Sequence, residues 1–118
     1  MAQKTALIVD DSSLARMLVR KIFVNFKEWT LLEAKDGEEA LAKLASTPVQ
    51  LAMLDFNMPG MSGLELAEKF IEKQPDLAIY LVTANIQDRM QQRAEAMGIG
   101  FIKKPMEQSK IAAVLNAL

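Results

Sequence analysis

The stretch LAMLDFNMPGMSG, residues 51–63, decides the fold that the sequence predicts. Residues 51–54 are apolar and are followed directly by Asp55. Asn57 and Gly60 come next, and residues of these types end strands and form turns. In an open parallel sheet the ligand crevice lies just beyond the carboxyl ends of the strands. The stretch therefore predicts a buried strand with Asp55 at its exit, in such a crevice, although a turn former or helix cap explains Asp55 equally well when it is taken alone.

Composition places the chain among ordinary globular domains. Its 118 residues suit one domain with one core, and 51% of them are hydrophobic and 25% charged, which is too apolar for disorder. The net charge is -1, so we expect no direct DNA binding. The first apolar run, residues 6–9, is too short for a signal peptide or a membrane span. We therefore expect a cytoplasmic protein without membrane contact.

The sequence contains neither cysteine nor histidine. This excludes disulfides, thiolate metal sites, imidazole bases and phosphohistidine on this chain. Any chemistry must therefore depend on carboxylates, lysine, hydroxyl groups and backbone amides.

Apolar segments alternate with helical patterns along the whole chain. The predicted strands are Thr5–Val9, Trp29–Ala34, Leu51–Leu54, Leu77–Val82 and Gly100–Lys103. The predicted helices are one capped by Ser12 or Ser13, Glu38–Ala45, one from Ser62 or Gly63 to near Pro75, Ile86–Met97 and Glu107–Leu118. Such alternation favours a parallel sheet that is covered on both faces. The predicted fold class is α/β, a doubly wound five-stranded parallel sheet with five helices.

Several predicted helices, the first and the last among them, have apolar residues at helical spacing, which predicts the faces that they bury. In the first helix, the predicted inward residues are Leu14, Met17, Leu18 and Ile22, and the predicted outward residues are Arg16, Arg20 and Lys21. The last helix is predicted to bury Ile111, Val114, Leu115 and Leu118.

Polar residues follow four of the predicted strands: Asp10, Asp11, Asp55, Thr83 and Lys104. The exits of parallel strands share one edge of the sheet, so we expect these side chains to meet there. Each of them alone is more often a cap or a solvated charge than a functional group. Their convergence on one edge is the observation that favours a functional site.

The charge of this predicted site favours a divalent cation. Three carboxylates repel one another, and one lysine offsets only one of them. Oxygen ligands without nitrogen or sulfur are typical of Mg²⁺ or Mn²⁺ sites. A metal ion, a lysine and the Thr83 hydroxyl suit phosphoryl transfer to a carboxylate nucleophile. The nucleotide-binding motifs GxxxxGK[ST] and GxGxxG do not occur in the sequence.

Four motifs occur in order after the predicted strands: Asp10-Asp11, DFNMPGMSG around Asp55, Thr83-Ala84 and Lys104-Pro105. Together they resemble the receiver domain of bacterial two-component response regulators, the CheY-like family. The resemblance covers the whole chain and implies a stand-alone receiver domain over residues 1–118. It also implies the flavodoxin-like strand order 2-1-3-4-5.

The resemblance implies a role for each acidic residue. Asp55 would accept a phosphoryl group from a histidine kinase, a phosphotransfer protein or a small phosphodonor. Mg²⁺, for which Mn²⁺ can substitute, would be held by Asp11, Asp55 and the backbone carbonyl of Asn57, and Asp10 would act through a bound water. The chain would be a phosphoprotein of phosphorelay signal transduction.

The resemblance also implies a catalytic pair and a switch. Lys104 and Thr83 would contact the phosphoryl group as catalytic residues, and a cis bond would precede Pro105. Thr83 and Phe101 would form the switch, which a downstream protein would read on the face formed by residues 86–118. Phe101 stands where family members often have tyrosine, so it can repack but cannot offer a hydroxyl group. Chemotaxis and relay to another protein are the candidate outputs.

The main alternative is a small Mg²⁺-dependent phosphatase in which Asp55 is a turnover nucleophile. Such phosphatases usually have a second acid two residues further on, where this chain has Asn57. We therefore expect a stoichiometric phosphoacceptor, which assists its own phosphorylation and dephosphorylation, and not an enzyme. A degenerate receiver is a third alternative, and the complete set of site residues argues against it.

Overall fold

The computed structural model describes residues 3–118. Its strands are β1 (Lys4–Val9), β2 (Trp29–Ala34), β3 (Leu51–Asp55), β4 (Ala78–Thr83) and β5 (Gly100–Lys103). Its helices are α1 (Ser13–Phe23), α2 (Gly37–Ser46), α3 (Gly63–Lys73), α4 (Asp88–Met97) and α5 (Gln108–Asn116). Within this range no helix is both long and apolar enough to cross a membrane.

The five strands form one parallel sheet in the order β2-β1-β3-β4-β5. The chain leaves β1 in one direction to form β2 and returns past β1 to form β3, so the direction of winding changes between β1 and β3. Such a change opens a crevice at the carboxyl ends of these two strands. The doubly wound, flavodoxin-like fold predicted from the sequence is confirmed.

Side chains on the two faces of the sheet form two separate clusters. Successive strand residues point to opposite faces, so Leu7 and Val9 pack with residues of α2 and α3, whereas Ala6 and Ile8 pack with residues of α1 and α5. All four of these β1 side chains are at most 2% exposed. Burial on both faces explains why the strands appear in the sequence as unbroken apolar runs.

Serine caps fix the starts of the two helices that follow the acidic strand ends. Ser12 Oγ accepts a hydrogen bond from the Ala15 N–H at 3.2 Å and begins α1. Ser62 Oγ accepts from the Glu65 N–H at 3.2 Å, and the Glu65 side chain accepts from the Ser62 N–H, which completes a capping box. The loops after β1 and β3 are therefore tied to rigid helix ends.

The predicted inward face of α1 is wrong in part. Leu14 is 61% exposed and Leu18 is 50% exposed, whereas Val19 and Phe23 are 2% and 5% exposed. Val19 and Phe23 belong to the core cluster on the α1 face of the sheet and the predicted residue Ile22 packs partly buried against it, whereas Leu14 and Leu18 lie on an adjacent exposed stripe. Periodicity within the helix cannot distinguish between two such stripes, because the choice depends on the surface that the sheet presents.

Two further burial predictions are wrong. The Arg16 side chain is only 18% exposed, because it turns back toward the loop after β1 and hydrogen-bonds there. Leu118 is 44% exposed, because α5 ends at Asn116 and Leu118 lies beyond its last turn. Arg20 and Lys21 are exposed as predicted.

Several element boundaries differ by one to two residues from the prediction. β3 continues through Asp55, which pairs with Val82, and β4 continues through Thr83, which pairs with Lys103. Backbone pairing therefore extends past the apolar runs to the polar residues themselves. The acid and the hydroxyl group lie on the sheet and not on a free loop.

Gly63 lies against the backbone that bears Asp55. Its N–H donates to the Phe56 carbonyl at 3.0 Å, and a Cβ atom at this position would overlap the Asp55 carbonyl oxygen and lie 3.0 Å from the Phe56 Cα. Backbone atoms cannot move aside as a flexible side chain can. The close approach of α3 to the end of β3 therefore requires glycine here.

We expect Gly63→Ala to lower the free energy of unfolding by about 2 kcal/mol, the usual cost of overpacking. Gly37→Ala is the matched control, because Gly37 also begins a helix but its added Cβ would meet only side chains, the flexible Met61 at 3.0 Å from its sulfur and Leu66 at an ordinary contact of 3.5 Å. That variant should change stability by less than about 1 kcal/mol. Urea denaturation measures both, and equal effects would contradict the close approach.

Candidate functional site

Three strand ends bring the predicted acids and the lysine together. Carboxylate oxygens of Asp10, Asp11 and Asp55 lie within 4.8 Å of one another. Lys104 Nζ lies 3.2 Å from Asp55 Oδ1 and 4.0 Å from Asp10 Oδ2. Asp10 and Asp55 are 4% and 5% exposed, whereas Asp11 is exposed. The structure thus places these four predicted site residues in one cluster at the crevice.

Asp10 is held through its backbone as well as its side chain. Its N–H donates to the Ala34 carbonyl at 3.1 Å, and its Oδ1 accepts from the Ser12 N–H at 2.9 Å. Its carbonyl oxygen accepts from Arg16 Nη1 at 2.6 Å. This contact of Arg16 was not predicted from the sequence, in which an arginine in the first turns of the helix after the acidic pair was the only available signal.

Burial and the charge of Asp10 act in the same direction on the pKa of Asp55. Removal from water raises the pKa of its carboxyl group above the ordinary value, and the neighbouring Asp10 carboxylate raises it further. The Lys104 ammonium group and the backbone N–H of Asn57 act against these effects and lower the pKa. The ionised form of Asp55 is therefore disfavoured overall, and an added cation would favour it.

Thr83 lies beside this cluster, at the end of the adjacent strand. Its side chain is 3% exposed, and its hydroxyl group accepts from the Asn85 N–H and donates to the Asn85 carbonyl, both at 3.3 Å. The hydroxyl is therefore bonded to the loop before α4. A cavity of about 190 Å³ lies between the loops after β3 and β4. It is lined by Phe56, Asn57, Thr83, Ala84, Asn85, Gln87 and Met90.

Phe101 is not part of the acidic cluster. It pairs with Leu81, two residues before Thr83, and packs partly buried against the cluster that includes Ala94 of α4. Phe101 and Thr83 therefore border the β4–α4 region from different positions.

The turn after β5 positions Lys104. Its N–H donates to the Thr83 carbonyl at 2.9 Å, which holds the end of β5 beside the end of β4. The Lys104–Pro105 peptide bond is cis, as the resemblance implies. Lys110 Nζ donates to the Lys103 and Pro105 carbonyls at 2.8 and 3.0 Å. The Lys104 side chain, which is 36% exposed, thus leaves a well-bonded turn and points at Asp55.

Comparison with known proteins identifies the family. The family model described as the response regulator receiver domain matches residues 6–116. The chemotaxis protein CheY of Thermotoga maritima is 30% identical over 114 residues, which are 96% of this chain and 95% of that protein. The response regulator TrrA of Thermotoga maritima, in a crystal structure with Mg²⁺–BeF, superposes with a TM-score of 0.83 at 30% identity and 98% coverage of both chains.

Other relatives are longer than this chain. The positive alginate biosynthesis regulatory protein of Pseudomonas aeruginosa is 31% identical over 112 residues, which are 93% of this chain but 45% of that protein. The chain thus spans less than half of this relative, and it matches only the part that the two proteins share. The match of the family model across nearly the whole chain, together with the fold and the acidic cluster, shows that the chain belongs to the CheY-like family of response regulator receiver domains of two-component systems.

Proposed function

We propose that Asp55 accepts one phosphoryl group and that the phosphorylated chain offers a changed surface to a protein partner. The observation that supports this most directly is the contact of Lys104 Nζ with Asp55 Oδ1 at 3.2 Å. A buried carboxylate beside a partly exposed ammonium group is suited to receive an anionic group from solvent. The donor would be a histidine kinase or a phosphotransfer protein, as family membership implies, or a small phosphodonor.

The proposed transfer is a single displacement at phosphorus. One carboxylate oxygen of Asp55 forms a bond to phosphorus, and the bond from phosphorus to the donor nitrogen breaks. The electron pair of that bond stays on the donor imidazole, which takes a proton from solvent. Asp55 must be ionised to attack, so the groups that lower its pKa, Lys104 and the Asn57 N–H, also favour the reaction. Lys104 would pair with the phosphoryl oxygens, and the Thr83 hydroxyl would donate to them.

The residues of the cluster fit Mg²⁺ or Mn²⁺. Three carboxylates within 4.8 Å of one another offer only oxygen ligands, which is the preference of these ions. We propose that Asp11, Asp55 and the Asn57 carbonyl hold the ion directly and that Asp10 acts through water. When bound, the ion would neutralise negative charge on the phosphoryl oxygens. It would also relieve the repulsion between Asp10 and Asp55 that raises the pKa of Asp55.

The proposed switch uses the region between β4 and β5. A phosphoryl group on Asp55 would draw the Thr83 hydroxyl away from Asn85, whose backbone it now contacts at 3.3 Å. That movement would release the loop before α4 and let Phe101 repack. A partner would read the result on the face formed by residues 86–118, with a coupling of about 1 to 3 kcal/mol, which is usual for such switches. The output would pass through a protein and not through direct DNA contact.

We expect Asp55→Asn to abolish labelling by acetyl phosphate in the presence of Mg²⁺, because the amide is not a nucleophile of this kind. Intact mass spectrometry should find one added phosphoryl group on the parent protein and none on the variant. Asp76→Asn is the control, because Asp76 is an exposed acid outside the cluster and should label like the parent. Unchanged labelling of Asp55→Asn would remove Asp55 as the acceptor. Many turnovers of a generic phosphate ester per chain would favour a phosphatase instead.

Lys104→Ala should slow phosphorylation by acetyl phosphate about 10²-fold, the usual effect of removing a group that stabilises developing charge. Lys103→Ala is the matched control, because Lys103 is the adjacent residue and is exposed, and its rate should stay within about twofold of the parent rate. The rate of labelling at saturating Mg²⁺ is the measurement. Equal rates for the two variants would exclude a catalytic role for Lys104.

We expect Asp55→Asn to stabilise the fold in Mg²⁺-free buffer at neutral pH. The pKa of Asp55 is raised in the folded state, so the folded chain binds this proton more tightly, and stability falls as pH rises from the unfolded value of 3.8 through the folded value. The amide side chain of Asp55→Asn does not titrate, so the variant does not lose this stability as pH rises. Its advantage in unfolding free energy should therefore grow as pH rises above the unfolded value of 3.8 and shrink when Mg²⁺ is added. An advantage that does not depend on pH would contradict the raised pKa.

A further inference from the structure

A charged network connects α1 and β2 behind the acidic cluster. Glu33 of β2 accepts hydrogen bonds from Arg20 Nε at 2.7 Å and Arg20 Nη2 at 3.0 Å. Arg16 Nε lies 3.4 Å from the same carboxylate, and Lys43 Nζ donates to the Glu33 carbonyl. The hydrogen bonds from Arg20 lower the pKa of Glu33, and Arg16 contributes to the effect. Glu33 is therefore ionised at neutral pH and pairs with both arginines.

Only one of the two arginines also reaches the site. Arg16 Nη1 donates to the Asp10 carbonyl at 2.6 Å, whereas Arg20 is 58% exposed and contacts Glu33. Glu33 therefore orients the Arg16 guanidinium group from one side while the Asp10 carbonyl receives its hydrogen bond on the other. The Arg16 side chain is 18% exposed, so this hydrogen bond is largely protected from water.

The carbonyl that Arg16 contacts belongs to the peptide group between Asp10 and Asp11. Asp10 is buried and is also held by Ser12 and Ala34, but the Asp11 side chain is exposed and packing does not fix it. The orientation of this peptide group sets the direction in which the Asp11 side chain leaves the backbone. A fixed peptide plane thus holds the exposed acid in place relative to the buried one.

We propose that Arg16, oriented by Glu33, is a positioning residue for the phosphoacceptor site. It holds the Asp10–Asp11 peptide group so that both carboxylates face the position of the divalent cation. Arg16 touches neither the cation nor the phosphoryl group in this role. The inference rests on the proposed function, because it assumes that the acidic cluster binds the cation.

Charge and position predict opposite effects for the loss of Arg16. Removal of a positive charge near three carboxylates strengthens cation binding, because the arginine no longer repels the cation. Removal of the hydrogen bond that fixes two of those carboxylates weakens it, since loss of groups that orient metal ligands typically lowers metal affinity by about 10 to 100-fold. The sign of the change therefore distinguishes a positioning role from a purely electrostatic one.

The test is calorimetric titration of MgCl₂ into the unphosphorylated full chain. We expect Arg16→Ala to raise the dissociation constant about tenfold. Arg20→Ala is the matched control, because it removes an arginine from the same helix and the same carboxylate without touching Asp10, and its constant should stay within about twofold of the parent value. The rate of labelling by acetyl phosphate should recover in Arg16→Ala when Mg²⁺ is raised to saturation.

A dissociation constant for Arg16→Ala that equals or falls below that of Arg20→Ala would overturn the inference. So would slow labelling that persists at saturating Mg²⁺. If Arg16→Ala does not fold, the same criterion applies to Arg16→Lys against Arg20→Lys, a pair that keeps the charge and alters only the geometry. A parent chain that binds no Mg²⁺ would instead overturn the proposed function, so the two failures are distinguishable.

Discussion

Asp55 lies 5% exposed beside a second buried acid, Asp10, and 3.2 Å from the Lys104 ammonium group. Two buried carboxylates so close together oppose folding, because each disfavours the charge on the other. The arrangement persists because it is built into the sheet: Asp55 is the last residue of β3 and Asp10 directly follows β1. The rest of the structure either supports this unfavourable placement or responds to it.

Support comes from backbone groups and helix ends around the cluster. The Asp10 peptide groups are bonded to Ala34 and Arg16, and serine caps begin the helices that follow both acidic strand ends. Gly63 lets α3 approach the end of β3 closely enough for its N–H to bond the Phe56 carbonyl. These contacts hold the two acids close together in spite of their repulsion, and a bound cation would reduce that repulsion.

The proposed response to phosphorylation would be confined to the parts of the site that are less tightly bonded. The Thr83 hydroxyl makes two contacts of 3.3 Å with Asn85, and a cavity of about 190 Å³ lies next to it. Under the proposed function, this space and these long hydrogen bonds would let a change of charge at Asp55 move the Thr83 hydroxyl and the loop before α4. Phe101, which packs partly buried against the cluster that includes Ala94 of α4, borders the same region.

Local patterns in the sequence determined the succession of strands and helices along the chain, the parallel sheet and the residues at its carboxyl edge, because strand periodicity and turn residues are properties of neighbouring positions. The spatial order of the strands was implied only by the family resemblance. The sequence also determined that any metal site would have oxygen ligands. Only the tertiary structure decided that α1 buries Val19 and Phe23 instead of Leu14 and Leu18, that Arg16 turns back to the Asp10 carbonyl, and that burial raises the pKa of Asp55. Each of these depends on contacts between residues far apart in the chain, and no local pattern contains that information.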